Sequence, residues 1–252
     1  MTSCPAARRR LAAPLATFAV LVLLAALPRG AAAFTTYWSP SSGLKPDQIP
    51  CPWTLVNNTA NTPAMANGVL TISTVSFFAN NTYYQQTGAA LAMPASTDSL
   101  VVLFGVRSVS SGSSTTARAG ISVVLETSAF RGIGIFINPT EIFWNSSSTT
   151  RGGTASATNN DAVHAYRVVV ILATNVVLIY RDGVLILNAS THVDSSSGDF
   201  AGFARILWGE GSGFALGTSE WAYFSHNAAP GGSCGTTTTT TPTWGTLKTI
   251  YR

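Results

Sequence analysis

Charged side chains are scarce. Asp, Glu, Lys and Arg make up 10% of the 252 residues, which does not suit long helices laced with ion pairs. Three cysteines and three histidines are too few and too scattered to supply a zinc site. No apolar run after residue 27 is long enough to cross a bilayer. No partner set suggests a Ser-His-Asp triad. Gly209-Glu210-Gly211-Ser212-Gly213 is glycine-rich but lacks the lysine and following helix of a phosphate loop, so it reads as a turn.

The N-terminus carries an export address. Arg8, Arg9 and Arg10 precede an apolar run from Leu11 to Leu27, and Ala31-Ala32-Ala33 follows. Basic, apolar and small-residue regions in that order form a signal peptide, and cleavage is expected before Phe34. An uncleaved anchor is the rival reading, since the run is near the lower limit for spanning. Removing Arg8, Arg9, Arg10 and Arg29 from the fourteen basic residues leaves ten, against ten acidic ones. The mature chain is therefore formally neutral. Without a basic field, nucleic acid is excluded as a partner.

Ser, Thr, Asn, Gly and Val fill the rest, a composition that suits short strands joined by polar turns. Residues 34–50 read as an extended lead-in. Twelve strand-like runs follow: 53–56, 68–74, 82–86, 100–109, 119–126, 132–138, 141–145, 165–172, 176–180, 184–188, 203–208 and 220–225. Asp182-Gly183 between Val176–Tyr180 and Val184–Asn188 is a strong hairpin signal, because a type I′ turn needs positive φ at both central residues. The fold class is all-β, a two-sheet antiparallel sandwich over 51–235. Residues 236–252 open with a threonine run and read as a linker or stalk.

Cys4 leaves with the signal, so Cys51 and Cys234 are the mature thiols. In an oxidising compartment they are expected to pair; two buried thiols are the alternative. Asn57, Asn80, Asn145 and Asn188 begin Asn-x-Ser/Thr triplets, acceptors only in a eukaryotic secretory pathway. His164, His192 and His226 sit beside strand ends or loops and read as surface histidines.

Tyr166-Arg167-Val168-Val169-Val170, followed by Val177-Leu178-Ile179-Tyr180-Arg181-Asp182-Gly183-Val184-Leu185, resembles the core of concanavalin A-like lectin/glucanase domains, including laminin-G-like modules. Trp53 with Gly68-Val69-Leu70 is similar to the family's opening strands. Ile206–Gly209 and Ser219–Phe224 are similar to its closing strands. The resemblance spans roughly Cys51 to Asn227 and implies a jelly roll with one concave face, where relatives often bind glycans. In such a fold the first and last strands lie side by side, which would let Cys51 and Cys234 meet.

A hydrolase of this superfamily carries carboxylates at alternating positions of one strand, on one face. No such cluster is present; Glu126 and Glu141 stand on separate strands. The resemblance also implies calcium at rim loops, for which Asn159, Asn160 and Asp161, or Asp194 and Asp199, are the oxygen-rich stretches; ordinary solvated turns are the competing reading. No cofactor is otherwise expected. Aromatic rings are the usual sugar platforms. Trp144 is the first candidate, with a core role as its alternative, and Tyr83 and Tyr84 come next. Trp53, Trp208 and Trp221 read as core. The resulting expectation is a secreted, non-catalytic, lectin-like carbohydrate-binding module with a glycan partner. An extracellular structural or adhesive domain binding protein is the alternative, and a polysaccharide hydrolase or lyase the third reading.

Overall fold

The computed structural model describes residues 36–57, 61–74, 81–88, 91–113, 118–128, 131–145, 150–189, 193–194, 203–211 and 215–230. The signal segment 1–33, the threonine-rich tail 236–252, Cys234, Asn80, His192 and Asp199 lie outside the described residues.

The strands are β1 (Thr36–Trp38), β2 (Thr54–Asn57), β3 (Ala64–Ala66), β4 (Val69–Thr74), β5 (Thr82–Thr87), β6 (Leu91–Ala92), β7 (Ser99–Ser113), β8 (Ile121–Ser128), β9 (Arg131–Asn138), β10 (Glu141–Asn145), β11 (Arg151–Ser156), β12 (His164–Ile171), β13 (Val176–Arg181), β14 (Val184–Ala189), β15 (Val193–Asp194), β16 (Arg205–Glu210), β17 (Ala215–His226) and β18 (Ala229–Pro230). One sheet, here A, runs β14-β13-β12-β7-β17-β4-β3, with β1 also on β17. The other, B, runs β11-β10-β9-β8-β16-β5-β2, with β15 also on β9. Every pairing is antiparallel. The architecture is the two-sheet jelly-roll sandwich expected from the sequence, and all twelve strand-like runs are strands.

The alternation of side chains explains the packing. In β4 the even-numbered residues Leu70, Ile72 and Thr74 are buried, and in β12 so are Tyr166, Val168 and Val170. Both sets face the other sheet. The turn at 182–183 is as expected: Asp182 has φ 50° and Gly183 φ 85°. A second turn of this kind, Asn67 (φ 52°) and Gly68 (φ 74°), joins β3 to β4.

An aromatic hub ties the sheets together. Trp208 of β16 lies 5.0 Å from Phe224 and 4.8 Å from Trp221, both on β17 of the opposite sheet. Trp53 meets Trp208 edge-on at 5.7 Å, and Tyr84 lies 5.1 Å from it. Trp53, Trp208 and Trp221 are core, as expected.

Two ionisable groups are sealed inside. Glu210 is fully buried, and neither carboxylate oxygen has a hydrogen-bond partner among the described residues. Burial pushes its carboxyl well above the ordinary value of 4.5. His226 corrects the surface reading: it is fully buried, its Nε2 is 2.9 Å from Gln86 Oε1, and burial pushes it down to about 3. The two act on stability in opposite senses. Between the raised folded pKa of Glu210 and 4.5 the native state holds the extra proton, so this group costs stability as pH rises above 4.5. Between 6.5 and about 3 the unfolded chain protonates His226 and the native state does not, so stability falls as pH falls. Glu210→Gln should therefore gain on the wild type progressively as pH rises above 5, read from urea midpoints across pH. A pH-independent difference would contradict a buried neutral carboxyl.

Candidate functional site

The outward-facing residues of sheet B form a shallow cleft. Ile121, Val123 and Leu125 of β8 join the core, which turns Ser122, Val124 and Glu126 outward. The same alternation on β9, β16 and β5 presents Gly134 and Phe136, Arg205 and Leu207, and Tyr83. These residues, with Arg118, Asn145 and Gly211, line the cleft, whereas Glu126 does not. Register aligns them in rows: Leu207 pairs with Val124, Val124 with Gly134 and Gly134 with Asn145. The cleft volume is about 110 Å³, far below the several hundred Å³ of a pocket that encloses a compact ligand. It suits an extended chain lying across the sheet.

The floor is apolar and its walls polar. Phe136 stacks on Phe143 at 5.3 Å, and the Arg151 guanidinium lies 3.8 Å over the Phe143 ring. Ser122 Oγ donates to Gly209 O (3.2 Å) and accepts from Gly211 N (3.1 Å). Asn145 Oδ1 accepts from Gly134 N at 3.0 Å. Arg205 Nε donates to Glu126 at 2.8 Å, and Nη2 bonds the same oxygen. The Tyr83 hydroxyl has no partner among the described residues.

The other carboxylate on this face, Glu141, is also engaged. It accepts from Asn138 (2.9 Å), Arg151 (2.8 Å) and Thr154 (3.1 Å). Burial raises its pKa, but those hydrogen bonds and the Arg151 charge outweigh burial and hold it below the ordinary range.

The sequence candidates divide. Tyr83 lines the cleft. Tyr84 does not: it is fully buried against Trp208, because its parity on β5 points inward. Trp144 pairs with Ile135 and packs against the core. A Cβ on Gly152 would meet its ring at 2.3 Å, so the indole lies over the bare backbone of β11. It is half-buried and lies outside the cleft, which is the core reading.

The sequons also divide. Asn188 is exposed. Asn57 is half-buried and accepts from Thr82 Oγ1 at 3.0 Å. Asn145 is 6% exposed in the cleft wall, and its use as a glycan acceptor remains an expectation. Cys51 precedes β2, and its carbonyl accepts from Gln86 Nε2 at 3.3 Å; a bridge to Cys234 remains an expectation.

The calcium candidates at 159–161 are engaged elsewhere. Asn159 is fully buried, donates to Asn138 O (2.8 Å) and Glu141 O (3.1 Å), and accepts from the Tyr166 hydroxyl. Asp161 accepts from His164, and that bond holds its pKa down. His164 Nδ1 meets Asp182 at 2.8 Å. The Asp194 side chain lies outside the described residues. No group of three His, Cys, Asp or Glu residues able to hold a metal occurs among the described residues.

Arg118, Ser122, Phe136 and Arg205 went unrecognised in the sequence. The available signal was parity: Ser122 and Glu126 interrupt one face of Ile121–Glu126, whose other face is purely aliphatic.

No protein-family model and no curated protein matches the sequence. Solved structures are similar in fold. A cellulose-induced protein, Cip1, matches at 11% identity over 76% of this chain and 96% of its own, with a TM-score of 0.49. A Bacillus licheniformis beta-glucanase matches at 15% identity over 76% of this chain and 96% of its own, TM-score 0.44. The Emp46p carbohydrate recognition domain matches at 12% identity over 69% of this chain and 87% of its own, TM-score 0.44. The likeness concerns the fold alone, and no residue is mapped across.

Proposed function

We propose that the chain is an exported, non-catalytic carbohydrate-binding domain whose ligand lies across the cleft of sheet B. One observation carries this reading: an open groove with an apolar floor at Phe136, Leu207 and Val124 is walled by Ser122, Asn145, Arg205 and Tyr83. A sugar chain needs that combination, because its C–H faces pack on apolar surface while its hydroxyls need donors and acceptors. A binder is favoured over a hydrolase because Glu126 and Glu141 are each committed to an arginine, and Glu141 is held ionised, the wrong state for a general acid. The N-terminal address and the exposed Asn188 fit export. The test is calorimetric titration of an oligosaccharide panel. Tyr83→Ala should weaken binding by about tenfold or more with an unchanged unfolding midpoint; equal binding would remove the cleft from the reading.

A protein-binding, adhesive role has one observation in its favour. The outer face of sheet A carries Val101, Val169, Ile171, Val176 and Leu178, all half-buried, beside Leu103. An apolar sheet face of this kind suits a protein partner.

A further inference from the structure

Asn67-Gly68 is the one Asn-Gly pair in the sequence. It forms the two-residue turn between β3 and β4, closed by the pairing of Ala66 with Val69. Both residues are exposed. The Asn67 side chain has no hydrogen-bond partner among the described residues. The Gly68 amide lies outside the β3–β4 ladder, and nothing lies within 4 Å of the space that a Cβ on Gly68 would fill. An amide carbon, an unencumbered backbone nitrogen and open space therefore meet at one turn. The matching turn at 182–183 is different, because the Asp182 carboxylate accepts from Ala165 N at 3.0 Å and meets His164 Nδ1 at 2.8 Å. The other asparagines lack one part or another. Asn138 precedes a proline, which has no N–H to attack with. Asn159 and Asn227 are tied to backbone groups. Asn175 and Asn188 are exposed, but each precedes a residue with a Cβ that crowds the attacking nitrogen.

We infer that Asn67 is a modification site, converted spontaneously to aspartate and isoaspartate with loss of ammonia. The Gly68 nitrogen gives its proton to water and attacks Asn67 Cγ. The N–Cγ bond forms, the Cγ–Nδ2 bond breaks, and Nδ2 leaves as ammonia with a proton taken from solvent. The cyclic imide then adds one water. Opening at Cγ gives aspartate; opening at the main-chain carbonyl gives isoaspartate, whose chain runs through Cβ. Nothing is oxidised or reduced. Attack requires the turn to open, and the fold makes opening easy: β3 is three residues long, lies at the edge of sheet A and pairs with β4 alone. The two products diverge. Aspartate keeps the hairpin, since Asp-Gly holds the same turn at 182–183. Isoaspartate adds a methylene to a two-residue loop that has no slack, so the Ala66–Val69 closing pair is lost and β3 leaves β4. Met65, which packs against the core, goes with it.

The experiment holds the folded full chain at mildly alkaline pH and follows each asparagine by peptide mass spectrometry, with fragmentation that separates isoaspartate from aspartate. Conversion at Asn67 should run several-fold faster than at Asn145, Asn175, Asn188 or Asn227, and faster as pH rises. Hydrogen exchange then reads the consequence. The isoaspartate form should lose protection across β3 and β4, while the Asn67→Asp variant, which also gains the charge, keeps it and keeps the wild-type unfolding midpoint. Asn67 staying intact, or converting no faster than Asn188, would overturn the site. Protection retained in the isoaspartate form, or lost equally in Asn67→Asp, would overturn the divergence of the two products.

Discussion

Trp208→Ala is expected to lower the unfolding free energy by about 3–5 kcal/mol, the range for deleting a large buried aromatic. That is a large share of the ~5–15 kcal/mol that a domain has to lose. The magnitude follows from position. Trp208 is fully buried and contacts Trp38, Trp53 and Tyr84 together with Trp221 and Phe224. Trp221 and Phe224 come from the other sheet, so the deletion opens a void at the seam, and rigid strands on both sides resist collapse into it. Urea denaturation should show a lower midpoint with an unchanged slope. A loss below about 1 kcal/mol would mean that the hub is not the joint between the sheets.

The second large effect concerns Glu126 and Arg205. Arg205→Gln is expected to cost about 3–5 kcal/mol, because it takes the arginine away from a carboxylate that is 2% exposed. The double variant Glu126→Gln/Arg205→Gln should recover most of that loss, since two neutral amides can bond across the same register position. A double-mutant cycle measures the difference. Additive losses would show that the two side chains act independently. The result matters for the cleft, because the same pair orients the guanidinium offered to a ligand.

Most of the fold could be read from the sequence because its strands are strongly patterned and its turns carry specific chemistry. Asp182-Gly183 marks its hairpin unaided. Asn67-Gly68 carries the same signal but is hidden at the start of a β-type run. The strand at 151–156 has no such signature: Arg151-Gly152-Gly153 has poor strand propensity, and it pairs with β10 where its glycines leave space for Trp144. The Ser-rich end of β7 reads as a stop, yet the strand continues to Ser113 because Ala215–Thr218 pairs with it.

The site was far less legible. Glu141–Asn145 is apolar on both parities and carries a register shift between Phe143 and Asn145, so sequence alone could not decide which way Trp144 points. Tyr83 and Tyr84 are adjacent, and only pairing with Trp208 and Gly209 sends one to the core and the other to the cleft. The cleft draws residues from 83 to 211, a convergence that exists only once the register of sheet B is known.

The most direct test of the account follows backbone and side-chain NMR shifts during titration with the best-binding oligosaccharide of the panel. The account predicts perturbations centred on Tyr83, Ser122, Phe136, Asn145 and Arg205. Perturbations centred instead on Val101, Val169 and Leu178, on the outer face of sheet A, would contradict it.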